Sequence, residues 1–374
     1  MTDPNVAVVG GGIAGMSTAL FCARRGWSVD LFEQGRLGSG ATNAAAGVLI
    51  PPSFLDRALP DHTQNSYALL SEKGYQFYPD FIDLLDEYSM FETGFNRCGT
   101  WHLATSEQEL DQRRTCFDEM QKYDRDVQWA DGDELRAKHD HLSESVLGGY
   151  LYAEEAQVDP GRLTQALRDA LVREEVSIHE RTEISSISSP SGGSHHQIET
   201  ADETRKAERV VIAAGCWSNK FSDDLQQEIR VEPRKGQMIK LRENLGNGPM
   251  FEVNETHVVP RMDGTVDVGA TVEDVGFDTE VTKDARSQIL DTARRIFPRF
   301  SVRSVIDQWS GLRPYAKRKG GPFLGDVPAR SGIYVNAGHY QKGILQAPYS
   351  GYILAQYMAG DEPDLNLEPY RVDR

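Results

Sequence analysis

Three stretches of the chain hold residues whose types and spacing can do chemistry. The first is Gly10-x-Gly12-x-x-Gly15, set between the apolar run NVAVV and a segment of helical spacing, IAGMSTALFCA. Glycines at these positions permit a tight turn and a close approach of backbone to a pyrophosphate, and the third lets the helix pack on the strand. Glu33 ends the next strand, SVDLFE, where an acid accepts hydrogen bonds from a ribose and disfavours a 2′-phosphate. A tight turn without a ligand is the alternative reading of the same glycines. The second stretch is WSGLRPYAKR, in which Arg313 stands between Leu312 and Pro314. A guanidinium in such a setting needs a partner, most simply a carboxylate held bidentately. Either a substrate or an acid of this chain would serve.

The third stretch, GATNAAAGVLIPP from residue 40, has small side chains and nothing to react with. That suits a flat ring lying directly on backbone, with the N–H groups of Ala46 to Val48 donating to flavin N5 and O4. The cofactor then carries the chemistry, which favours FAD over NAD. A packed small-residue turn is the plainer alternative. Farther on, GHYQKGILQAP leads through Gly343 into a helix whose N-terminus would stabilise negative charge near a reduced flavin's N1–C2=O edge.

The elements that must position these residues follow from periodicity. Strand, glycine turn, helix and strand over residues 5–33 open a parallel sheet. Helices are expected over 65–93, 106–123, from Asp159-Pro160 onward, and near 284–296, with Asp159 as cap and Pro160 in the first turn. SSPSGGSHH reads as a hairpin tip, ERVVIAAGCWS as a buried strand ending in a turn, and 230–310 as mostly strand. The expected fold is α/β: a Rossmann-type, glutathione-reductase-like nucleotide domain formed by 1–80, 150–222 and 310–374. A β-rich α+β substrate domain from 81–149 and 223–309 is inserted in it.

Composition narrows the function further. A formal net charge of −17 argues against nucleic acid and anionic lipid surfaces as partners. The N-terminus carries an acid where a signal peptide is basic, and no apolar run reaches the roughly 18 residues of a bilayer span. The expectation is a cytoplasmic protein. Cys22, Cys98, Cys116 and Cys216 lack C-x-x-C spacing, so free thiols and no metal site are expected.

With those motifs in hand, the chain resembles the D-amino-acid-oxidase-like flavoproteins, nearest the glycine oxidase branch that serves thiamine biosynthesis. VVGGGIAG, LFEQG, GATNAAAGVL, VDPGRL, VVIAAGCWS, VVPRMDGTVDVGAT, WSGLRP, GHYQKGIL and YRVDR carry the resemblance over essentially the whole length. It implies oxidative deamination of a small amino acid or amine such as glycine, sarcosine or a short D-amino acid. The substrate carboxylate lies on Arg313, a hydride passes to flavin N5, and the imine hydrolyses to an oxo acid. In oxidases O2 takes the electrons and leaves as hydrogen peroxide. The alternative is a dehydrogenase of the same fold that passes electrons to a quinone or partner protein. FAD is expected to be non-covalent, because the cysteine that holds it in sarcosine oxidase relatives lies in the C-terminal third, where this chain has none. A homo-oligomer is possible on family grounds.

The resemblance places flavin contacts at Gly10, Gly12, Ile13, Ala14, Gly15, Glu33 and Gln34. It places others at Ala41, Thr42, Ala46, Gly47 and Val48, at Ile184 and Gly215, and along His339, Tyr340, Gln341, Lys342, Gly343, Ile344 and Leu345. Two departures touch the pocket: His257 stands where the branch has a tyrosine before VPR, and Gln341 where the family often has an arginine. With Arg313 they form the expected catalytic set. A strand histidine satisfied locally is the alternative for His257. No general base is conspicuous.

Overall fold

A computed structural model of the chain describes residues 5–52, 62–122, 125–189, 195–317, 321–328 and 330–374. The expected hairpin tip at SSPSGGSHH falls partly outside them; its flanks, Ser186–Ser188 and His196–Glu199, pair antiparallel as expected.

Strand Asn5–Val9 is buried on both faces, so it forms the centre of a sheet and not its edge. Around it a six-stranded sheet runs in the order Phe323–Asp326, Ile333–Ala337, Arg209–Ile212, Asn5–Val9, Ser28–Glu33, Ser177–Glu180. All neighbours are parallel except the first pair. Helix Ile13–Ala23 is buried along nearly its whole length and packs on helix Gly343–Ala359. Their approach is close enough that a Cβ at Gly351 would stand 2.7 Å from the Thr18 nitrogen. Buried polar groups bridge the elements: Asn336 Nδ2 donates to Thr18 Oγ1, and Ser350 Oγ donates to Asn336 Oδ1.

Helix Pro160–Arg173 starts where the sequence predicts. Asp159 accepts from the nitrogens of Gly161 and Arg162, and Leu163, Ala166, Leu167, Ala170 and Leu171 face the core at helical spacing. The helix expected over 65–93 spans His62–Tyr88, and those expected near 106–123 and 284–296 span Glu107–Lys122 and Lys283–Arg294.

The second large sheet has eight strands in the order Val305–Ala316, Val231–Leu241, Val266–Gly269, Thr256–Pro260, Met250–Val253, Thr100–Ala104, Gly148–Tyr152, Val127–Asp131. The domain limits expected at 150 and 310 fall inside two of these strands. A ladder keeps a strand whole, and Val305–Ala316 pairs with Val231–Leu241 along its full length, on both sides of 310. No helix among the described residues is long and apolar enough to cross a membrane.

Candidate active site

One cavity of about 950 Å³ lies between the two large sheets. Its first end is the glycine turn. Gly10 has φ of +113°, and a Cβ there would stand 2.4 Å from the Ala213 oxygen, so only glycine fits. Glu33 holds the turn open: one carboxylate oxygen accepts from the Gly11 nitrogen and the other from Gly35, both at 2.7 Å. Each oxygen keeps a further lone pair. Thr42 Oγ1 accepts from the Ile13 nitrogen at the helix start, a capping role that the sequence did not reveal.

The small-residue stretch is fastened from behind. Arg261, buried, donates from Nη2 to the Ala46 oxygen at 2.7 Å, from Nη1 to the Val158 oxygen, and from Nε to Asp267. Trp309 Nε1 donates to the Ala44 oxygen. Gly311 lies so close that a Cβ there would stand 2.4 Å from Ala44 Cβ. Trp309 is thus a backing residue, whereas Trp217 lines the cavity.

Arg313 reaches over Gly236, where a Cβ would stand 2.4 Å from both terminal nitrogens. Its Nη1 donates to the oxygens of Thr271 (3.0 Å) and Lys235 (3.3 Å). Among the described residues no carboxylate forms an ion pair with it. Burial lowers its pKa, with Tyr340 and Glu273 opposing. A guanidinium in this state has donors to spare for an anion in the cavity.

Beyond Arg313 the floor of the cavity is a single row across the eight-stranded sheet. Met238 pairs with Gly269, Gly269 with His257, His257 with Glu252, Glu252 with His102 and His102 with Tyr150. All six line the cavity, over about 24 Å at ordinary strand spacing. His102 is clamped between two carboxylates, Nε2 to Glu155 at 3.0 Å and Nδ1 to Glu252 at 3.1 Å, and stacks on Tyr150. Burial alone would strip its proton, but the two acids outweigh burial and raise its pKa to about 9. Glu252, despite burial, is held at about 2 by His102 and Arg113, whose Nη2 lies 2.5 Å away. His102, Arg113, Tyr150, Glu252 and Glu255 were not singled out in the sequence. The only signal is the alternation of GTWHLAT and MFEV, which puts His102 and Glu252 on a sheet face without saying which.

Of the residues expected to meet the cofactor, all but two line the cavity. Gly15 lies behind the turn, where a Cβ would meet the Gly10 oxygen at 1.8 Å. Leu345 is in the core, because the helix turn that presents Ile344 to the cavity points the next residue inward. Gln341, exposed, and His257 line the cavity with Arg313. His339 is buried, shares a hydrogen bond with Ser350 Oγ, and is lowered to about 4 by burial. Tyr340 is in the left-handed region at φ of +51° and meets Tyr315 edge-on. Cys216 also lines the cavity, its thiol pushed up to about 12 by burial. Among the described residues no group of three His, Cys, Asp or Glu is placed to hold a metal ion.

A family model described as FAD dependent oxidoreductase (DAO) matches residues 5–357. The glycine oxidase of Geobacillus kaustophilus is 31% identical over 373 residues, 99% of this chain and 97% of that protein. A crystal structure of glycine oxidase from the same species superposes with a TM-score of 0.89 at 29% identity, covering 99% of both chains. The iminodiacetate oxidase of Chelativorans sp. BNC1 superposes with 0.85 at 25% identity, covering 98% of both.

Proposed function

Because this chain belongs to the DAO family of FAD-dependent oxidoreductases, we propose that it oxidises a small amino acid or amine at the carbon bearing nitrogen, with O2 as electron acceptor and hydrogen peroxide as the reduced product. The proposal fits the cavity. The Gly10–Gly12 turn, Glu33 and the small-residue stretch on Gly311 suit an FAD extended along it. When bound, the flavin would supply a two-electron acceptor for the hydride that leaves the substrate carbon.

The observation that carries the substrate class is Arg313, a half-buried guanidinium in the cavity wall that forms no ion pair with a carboxylate among the described residues. An α-carboxylate supplies the missing partner, and the two backbone acceptors hold the guanidinium ready for it. Glycine oxidases among the relatives are named for such a substrate. Orientation by a fixed clamp and exclusion of water by the surrounding wall are what these residues contribute to the rate.

The test is anaerobic mixing of the holoenzyme with glycine, sarcosine, and D- and L-amino acids, followed by air. Bleaching of the flavin by a member of the panel, then fast recolouring with peroxide, supports the proposal. Bleaching that persists in air assigns a different electron acceptor. No bleaching by any of them removes the amino-acid reading.

A further inference from the structure

In neutral water an amino acid carries an ammonium group, and its α-carbon cannot release a hydride until the nitrogen has its lone pair back. Resting on the reading above, we propose that His257 takes that proton. The ammonium N–H bond breaks, the proton passes to the imidazole lone pair, and the electron pair stays on nitrogen as the free amine.

Position is the first reason. Arg313 Nη1 is bound to the oxygen of Thr271, two residues past Gly269, and Gly269 is the cross-strand partner of His257. The anchor of the guanidinium and the imidazole therefore stand on one wall, one strand and two residues apart. An α-amino acid held by its carboxylate on Arg313 brings its nitrogen toward His257.

The second reason is valence. The Nε2 atom of His257 is buried and cannot meet a substrate, whereas Nδ1, which makes no hydrogen bond among the described residues, is the nitrogen left to accept. The titratable groups next to it in the row are committed. Glu252 accepts from Arg113, His102 and the Glu255 nitrogen, and both nitrogens of His102 face carboxylates. Glu33 stands away at the glycine turn, where its oxygens accept from two backbone nitrogens, and His339 shares its hydrogen bond with Ser350.

The third reason is the field. Glu252 lies directly across from His257, with Glu155 behind it, and both favour an imidazolium; His102 and Lys342 oppose it. Burial is the largest influence and keeps the imidazole below its ordinary pKa, so it enters the cycle neutral and able to accept. Arg113 is neutralised by Glu252, and Glu255 on the same hairpin is exposed.

The experiment follows the rate of anaerobic flavin reduction against pH in the holoenzyme. In the wild type, the acid limb should stay at one pH for two substrates whose ammonium groups differ in acidity, because it belongs to the enzyme. In His257→Asn with its flavin spectrum intact, reduction should fall about 10²-fold at pH 7. It should recover toward the substrate's own ammonium pKa. A wild-type limb that moves with the substrate overturns the proposal, even if the variant fails to fold. So does an unchanged limb in His257→Asn, a loss equal at every pH, or a limb that moves in Glu255→Gln. If no amino acid bleaches the wild type, the substrate reading fails and this proposal with it; the other outcomes leave that reading standing.

Discussion

The guanidinium of Arg313 occupies the space that a side chain at position 236 would fill. A Cβ on Gly236 would stand 2.4 Å from Nη1 and Nη2 and 2.5 Å from Cζ. The neighbouring strand has left this position empty, and the arginine lies across the gap to reach the oxygens of Lys235 and Thr271.

Gly236→Ala should therefore disturb the site more than the fold. The atoms it meets are the far end of a long side chain, which can swing away. KM for a carboxylate substrate should rise at least 10-fold, since a charge-assisted hydrogen bond contributes about 1.5–3 kcal/mol. The melting temperature should change little. Steady-state kinetics beside thermal unfolding checks the split.

Arg261 fastens the small-residue stretch from the other sheet. Replacing it with Met removes donors from the Ala46 and Val158 oxygens and from Asp267, which keeps only Lys240 as an ion-pair partner among the described residues. Breaking a buried pair on one side costs about 3–5 kcal/mol. Arg261→Met should lower stability by that order and loosen the cofactor. Urea unfolding, and FAD retained after gel filtration, would show both; an unchanged FAD content would contradict the fastening role.

The His102 cluster predicts a stability profile in pH. His102, raised to about 9, adds stability that is complete below its ordinary value of 6.5 and is lost as pH rises through 9. Glu252, lowered to about 2, adds stability complete above 4.5 and lost as pH falls through 2. The holoenzyme should thus be most stable between these limits and lose about 3 kcal/mol on the alkaline side through His102. His102→Gln should be less stable at pH 6 and lack the alkaline decline. Thermal unfolding from pH 5 to 10 measures it.

Several parts of this site are legible in the chain because they are local. Gly10, Gly12, Gly15 and Glu33 lie within one βαβ unit, and Asp159-Pro160 marks a helix start by itself. Arg313 is legible for a related reason: its apolar neighbours leave a charge to be explained. The row from His257 to Tyr150 is not, because it exists only when four strands align in register. Alternation along each strand leaves the face undecided. Arg261 and Ala46 are 215 residues apart, so nothing near either residue announces their bond. The limits expected at 150 and 310 fall inside strands for a related reason, since a strand's sheet is decided by its partners.

Arg313→Ala, compared with the wild type in anaerobic flavin reduction by the same amino acid, tests the central claim most directly. The clamp predicts a substrate concentration for half-maximal reduction raised about 10-fold or more, with the flavin still bound and its spectrum unchanged. The neutral amide of the same amino acid should be about equally poor for both proteins. An Arg313→Ala protein that is bleached by the amino acid at wild-type concentrations would contradict the account.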